Sequence, residues 1–212
     1  MPALNVVLAS NNAAKLAELE TLFAPLGLRL AAQPALAIAE AEEPHQTFIE
    51  NALAKARHAA HAAGGAAIAD DSGLCVAALG GAPGVASAHF ATVPLPATDR
   101  ESQRRVQDAA NNALLLERMQ GGADRAARFV CTLVAVRSAD DPEPLVATGR
   151  WEGELLRTPR GAGGFGYDPL LWIAPLARSV AELDAATKNA HSHRALAAAQ
   201  MVVLMREAWR LG

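Results

Sequence analysis

Residues 66–69 form an apolar run that leads straight into Asp70, Asp71, Ser72 and Gly73, and no other stretch restricts the fold as much. A buried strand that ends in two acids has to bring them a cation or hydrogen-bond donors. Successive strand residues face opposite sides of a sheet, so only one of the pair can look into a given cleft. The other needs donors on the opposite wall. The pattern predicts one carboxylate with a chemical role and one with a structural role, both where the strand stops. A surface Asp-Ser-Gly turn is the alternative. A second glycine-rich motif far downstream, residues 161–169, favours metal-dependent phosphate chemistry over that turn.

Around this strand the chain reads as alternating strands and helices. Residues 4–9 are apolar, Ser10, Asn11, Asn12, Ala13, Ala14 and Lys15 form a small polar junction, and Leu16, Leu19, Leu22 and Phe23 then recur at helical spacing. That is a strand, loop and helix unit, stopped near Pro25 and Gly27, with a second strand expected over 28–32. Thr47 followed by Glu50 is a capping-box pattern that opens an Ala-rich helix running to Ala63, with Gly64 and Gly65 as its stop. Residues 74–79 predict a further short apolar element and 99–119 a helix. Residues 128–137 and 145–156 predict two strands joined as a hairpin, which interrupts the βα alternation. A strand over 170–173, a short element over 181–186 and a helix over 195–209 close the chain. The expected architecture is α/β, a mixed sheet flanked by helices in two lobes with a cleft between them.

Composition narrows the partners. Of 212 residues, 51% are hydrophobic, much of it Ala, which is ample for a sizeable core built from closely packed helices. Nineteen basic against twenty-two acidic residues give a net charge of −3, so long-range attraction to a nucleic-acid polymer has no electrostatic basis. Cys75 and Cys131 both lie in apolar runs and read as small buried hydrophobes rather than a disulfide pair. No apolar stretch approaches the roughly 20 residues that span a bilayer. A cytoplasmic location is expected.

The strand end at 10–15 collects backbone N–H groups and one ammonium at a helix start, an arrangement that suits a phosphate; a plain Ser10 or Asn12 cap is the alternative. Glu42, Glu43, Glu50, Asp70 and Asp71 could supply hard oxygen ligands to Mg²⁺, which takes one or two protein carboxylates and fills its octahedron with water and phosphate oxygens. For Glu50 the capping box suffices. Residues 161–166 satisfy a G-x-G-x-x-G pattern but do not open a helix, so a dinucleotide fingerprint is rejected. Phe165 and Tyr167 either present a stacking face to a base or tuck into the core. At 188–194, Lys188, His193 and Arg194 surround the start of the last helix, where cations oppose the dipole. Ser192 is its expected cap, and the favourable solution is an anion between them. A His-x-His zinc site has no evident third ligand.

Taken in order, Ser10-Asn-Asn-Ala-Ala-Lys15, Thr47-Phe-Ile-Glu-Asn-Ala52, Asp70-Asp-Ser-Gly73, Gly81-Ala-Pro-Gly84, Gly163-Gly-Phe-Gly-Tyr-Asp168 and Ser192-His-Arg194 resemble the inosine triphosphate pyrophosphatase family, the dITP/XTP diphosphatases, over nearly the whole chain. The resemblance implies an ITPase-like fold spanning 1–212 as a single domain, an elongated mixed central sheet, and usually a homodimer. It implies a Mg²⁺-dependent enzyme that takes pyrophosphate from ITP, dITP and XTP and cleanses the nucleotide pool. By the family's pattern Asp71 is general base and metal ligand, Glu42 the second metal ligand, and Ser10, Asn11, Asn12, Ala13, Ala14 and Lys15 the triphosphate cradle. Ser72, Phe165, Gly166, Tyr167, Asp168, Lys188, His193 and Arg194 are then nucleotide contacts. His89 stands where the pattern has Arg, and the loop 91–100 is Pro-rich and rebuilt. The competing readings are a pyrophosphatase for modified pyrimidine nucleotides of related architecture and a nucleotide-binding module without turnover.

Overall fold

The computed structural model describes residues 4–94 and 96–211. Strand β1 (Asn5–Leu8) leads to helix α1 (Ala13–Phe23), β2 (Arg29–Ala32), α2 (Phe48–Ala63) and β3 (Ala66–Val76). There follow α3 (Arg100–Arg118), the long strands β4 (Ala126–Val136) and β5 (Leu145–Leu155), the short strands β6 (Leu171–Ile173) and β7 (Arg178–Ser179), α4 (Ala185–His191) and α5 (His193–Trp209). The strands make a seven-stranded sheet in the order β2-β1-β3-β4-β5-β6-β7. β1 is parallel to both neighbours, with Val6 opposite Leu30 and Ala66, whereas β6 is antiparallel to β5 and β7. Residues 137–144 between β4 and β5 are fewer than the dozen or so a parallel crossover needs, so these strands form the expected hairpin. The sheet is mixed and flanked by helices, as the sequence predicts.

Side-chain caps set the helix starts. Asn12 Oδ1 accepts from the Ala14 and Lys15 amides, Thr47 Oγ1 from Glu50, Asp99 Oδ1 from Ser102 and Ser192 Oγ from Ala195, each satisfying a donor that the helix leaves unpaired. Gly64, at φ +64°, closes α2 in the left-handed conformation that glycine reaches without strain. Two expectations are corrected. β3 does not stop at the acids: it continues through Asp70, Asp71, Ser72 and Gly73 to Val76, because each carboxylate meets donors within the fold and burial is then tolerated. The final helix starts two residues earlier than expected, at His193.

The chain divides into two compact units, Met1–Asp71 with Cys131–Arg150 and His191–Gly212, and Ser72–Val130 with Trp151–Ala190. In the first unit the period of two along the strands sorts the core. Val6, Leu8, Ile68, Cys131 and Leu133 pack with Leu19 and Phe23 of α1 and Met201 and Met205 of α5. Val7, Ala67, Ala69, Val134 and Val136 pack with Ala52, Ala56, Ala59 and Ala60 of α2. Burying each large side chain stabilises by about 1.5–3 kcal/mol, and the alanines of α2 let its backbone come close to the sheet. In the second unit Leu74, Leu115, Phe129, Trp151, Tyr167, Leu170 and Leu171 form a separate core.

Candidate active site

The parity of β3 decides what each acid meets. Ala66 and Ile68 face α1 and α5, so Asp70 does too; Ala67 and Ala69 face α2, and so does Asp71. Asp70 Oδ1 accepts from Lys15 Nζ at 2.6 Å and Oδ2 from Arg194 Nε at 2.8 Å, with the Cys131 thiol donating to the same oxygen at 3.2 Å. Arg194 also pairs with Glu18. Burial alone pushes the Asp70 carboxyl up, but Arg194 and Lys15 outweigh it and hold the group well below the usual carboxylate range. Burial, reinforced by the Asp70 charge, pushes the Cys131 thiol up, so it stays a protonated donor.

Asp71 has a different environment. Burial raises its carboxyl to about 6, against the opposing pull of the Lys55 ammonium. Lys55 Nζ lies 2.8 Å from Asp71 Oδ1 and 3.2 Å from Glu43 Oε1. Asn51, one turn before Lys55 on α2, donates to Asp71 Oδ2 at 3.4 Å. It also clips the acidic loop, accepting from the His45 amide at 3.0 Å and donating to the His45 carbonyl at 3.2 Å. One helix face therefore holds both Asp71 and the backbone next to Glu43. Asp70 is the structural acid and Asp71 the one with the pKa of a proton acceptor near neutrality.

Two carboxylates converging on a single ammonium form a donor set that a divalent cation also fits, because Mg²⁺ needs only one or two protein carboxylates when phosphate oxygens and water complete the shell. Among the described residues no group of three or more His, Cys, Asp or Glu is placed to hold a metal ion. The acid brought to this cluster is Glu43. Glu42, expected as the second ligand, is exposed beside it, as Glu43 is too; what distinguishes Glu43 is its ion pair with Lys55.

The expected phosphate cradle is internally capped. Ser10 Oγ accepts from the Asn12 amide, Asn12 Oδ1 takes the Ala14 and Lys15 amides, and Asn11 Oδ1 accepts from Gln33. The expectation of several unclaimed N–H groups is corrected to this extent: Asn12 does at the helix start what a bound oxyanion would do. Ala13 and Ala14 are exposed and Lys15 half-buried.

In the second unit the two loop aromatics separate. Tyr167 is buried in the core, its hydroxyl donating to Ser87 O at 2.9 Å. Phe165 is half-buried, with Lys188 Nζ 4.5 Å from its ring centroid. Asp168 Oδ2 accepts from Lys188 Nζ at 2.8 Å and from the Phe165 amide at 2.9 Å. A Cβ at Gly164, which has φ +72°, would collide with Asp168 Oδ2, so the glycine is needed for the loop to close on its acid. Ser72 is half-buried.

Around α5, His193 is buried at 5% exposure and Arg194 at 1%. Arg194 is enclosed by Asp70 and Glu18, so an anion among these cations is supplied by the protein itself. Sequence reasoning assigned no role to Lys55, Asn51 or Glu18. The available signal was a Lys and an Asn at i, i+4 flanking the alanine stripe of α2.

The Ham1 family model matches residues 6–204. A dITP/XTP pyrophosphatase of Methylibium petroleiphilum is 69% identical over 206 residues, 97% of this chain and 99% of that protein. One of Leptothrix cholodnii is 69% identical over 211 residues, 98% of this chain and 100% of that protein. The solved HAM1 protein from Coxiella burnetii superposes with a TM-score of 0.85 at 41% identity, covering 96% of this chain and 99% of its own. The Staphylococcus aureus Ham1 protein gives 0.81 at 32% identity over 96% and 99%.

Proposed function

The chain belongs to the Ham1 family, and from that premise we propose that it hydrolyses the deaminated purine nucleotides ITP, dITP and XTP to the monophosphate and pyrophosphate, clearing them from the nucleotide pool. The observation that carries the reading is the buried Asp71 carboxyl, raised to about 6 beside Lys55. A module that only binds nucleotide gains nothing from an acid tuned this way. A cytoplasmic homodimer is part of the same reading; the described residues contain no helix long and apolar enough to cross a membrane.

In this reading Asp71 orients a water toward the α-phosphorus and accepts its proton as pyrophosphate leaves. Asp71 and Glu43 would hold Mg²⁺, which when bound would neutralise triphosphate charge and lower the pKa of nearby water. This reading assigns the departing phosphates to Lys15 and the positive end of α1, which would stabilise the charge developing there. The base falls to Phe165, as a stacking face, and to Lys188, as a donor to the 6-oxo group of hypoxanthine or xanthine. Adenine presents a donor at that position and would leave the ammonium unmatched, and hydrogen-bonding sites reject such analogues by about 10⁴-fold.

The test is a panel of ITP, dITP, XTP, ATP, GTP and modified pyrimidine triphosphates with purified protein, with and without Mg²⁺, the phosphorus products being identified. Deaminated purines should give pyrophosphate only with metal. Orthophosphate as product would overturn the bond assignment, equal turnover of ATP and ITP the base assignment, and preference for a pyrimidine would favour the competing enzyme. A second measurement addresses the acidic loop. Glu43→Gln should raise the Mg²⁺ concentration for half-maximal rate by about tenfold or more, whereas Glu42→Gln leaves it near wild type; the reverse ranking would return the ligand role to Glu42.

A further inference from the structure

One turn of α3 grips the aromatic loop through the backbone of a single residue, Gly166. Asp108 Oδ2 accepts from the Gly166 amide at 2.8 Å, and Asn112 Nδ2 donates to the Gly166 carbonyl at 3.0 Å. Asp108 and Asn112 are spaced i, i+4 and so share one helix face. Gly166 has φ +61° and lies between Phe165, whose ring faces Lys188, and Tyr167, which is anchored on Ser87 O. Asn111, on the same turn, donates to the Ser87 and Ala88 carbonyls at 3.2 Å each and accepts from the Ala91 amide at 2.8 Å. The helix thus fastens both the loop that carries Phe165 and the segment on which Tyr167 rests.

A backbone with Gly161, Gly163, Gly164 and Gly166 within six positions is entropically unfavourable to order. A ligand that had to order it on arrival would bind more weakly than one meeting a loop already in place. We propose that Asp108 and Asn112 are positioning residues for base recognition: by holding the Gly166 N–H and the Gly166 carbonyl, and so the peptide groups on either side of that residue, they set the Phe165 ring and the Lys188 ammonium before the nucleotide arrives. The inference rests on the assignment of Phe165 and Lys188 to the purine base. Burial raises the Asp108 carboxyl, while the Gly166 amide and Arg104 oppose that rise, so the acid is kept half-buried against its own desolvation.

Positioning and plain stabilisation differ in what they change. Asp108→Ala and Asn112→Ala should raise KM for ITP by about tenfold with kcat within about twofold of wild type, since the two hydrogen bonds to Gly166 govern base affinity and not the phosphate chemistry. The inhibition constant of inorganic tripolyphosphate, which has no base, should stay unchanged. Asp108→Asn keeps an acceptor for the Gly166 amide and should restore KM. A KM unaffected by both alanine variants, or a tripolyphosphate constant that rises in parallel with KM, would overturn the inference. If the wild-type protein does not turn over ITP, the functional reading fails first, and hydrogen exchange at the Gly166 amide then judges the grip itself. Protection lost in Asp108→Ala and kept in Asp108→Asn upholds it; protection unchanged in both refutes it.

Discussion

Asp71→Asn should lower kcat for ITP by about a thousandfold or more, the range expected when a general base that also holds the metal is removed, without lowering the melting temperature at pH 7.5 in the absence of metal. The two halves of this expectation have one cause. Burial raises the Asp71 carboxyl to about 6, above its ordinary value, so ionisation is less favourable in the folded chain than in the unfolded one. For a carboxyl shifted in this direction the stabilising contribution is fully present below the unfolded pKa and is lost as pH rises through about 6. At pH 7.5 the native protein therefore carries an ionised acid in a site that disfavours it, and Asn, of equal size and neutral, relieves that strain. Lys55 retains Glu43 as a partner. Melting curves of both proteins at pH 5 and pH 7.5 in a chelator, together with steady-state rates, check both halves. The wild type should lose more stability than the variant between the two pH values. Near wild-type turnover would remove Asp71 from the chemistry, and a fall of many degrees would make it a structural residue like its neighbour.

That neighbour shows how far the sequence could be read. The alternation of strand faces was enough to expect one chemical and one structural acid, and Asn12, Thr47, Asp99 and Ser192 were legible as starts because a cap depends only on a few adjacent residues. Where β3 would stop was not legible. Two adjacent acids look like a strand end unless both have partners inside the fold, and those partners come from distant parts of the chain: Arg194 lies 124 positions from Asp70 and Lys55 lies 16 from Asp71. Which helix covers which face is a tertiary fact with no local signature. Nothing in the sequence indicated that Glu43 rather than Glu42 would pair with Lys55, since that contact depends on how the acidic loop is held, in part by Asn51 clipping the backbone at His45. Phe165 and Tyr167 parted for want of an alternation rule in a glycine-rich loop, where the φ of each glycine rather than a strand period aims the side chains.

Arg194 shows what such a distant partner contributes. Arg194→Met should destabilise the protein by about 3–5 kcal/mol, the range seen when one member of a buried ion pair is removed and the other left behind. Arg194 and Asp70 have side chains 1% and 0% exposed, so water cannot solvate the carboxylate that remains, and Lys15 becomes its chief cationic partner. Asp70→Asn in the same background should recover part of the loss, because it removes the charge that the first change stranded. The two single variants and the double variant, unfolded in urea at pH 7, give the coupling directly. The Asp70 carboxyl is held well below its usual range, so the stability it contributes is present above the unfolded pKa and disappears as pH falls through the folded one. Wild type should therefore lose more stability than Asp70→Asn on acidification below about pH 4. A loss under about 1 kcal/mol for Arg194→Met, with no coupling, is what an exposed pair would give and would refute the enclosed arrangement. A large loss with strong coupling would explain why an arginine at the start of α5, where the helix dipole repels it, is nonetheless held there: its counter-charge is the strand acid next to Asp71, the proposed base, and fixing Asp70 fixes the backbone from which Asp71 projects to the opposite face of the sheet.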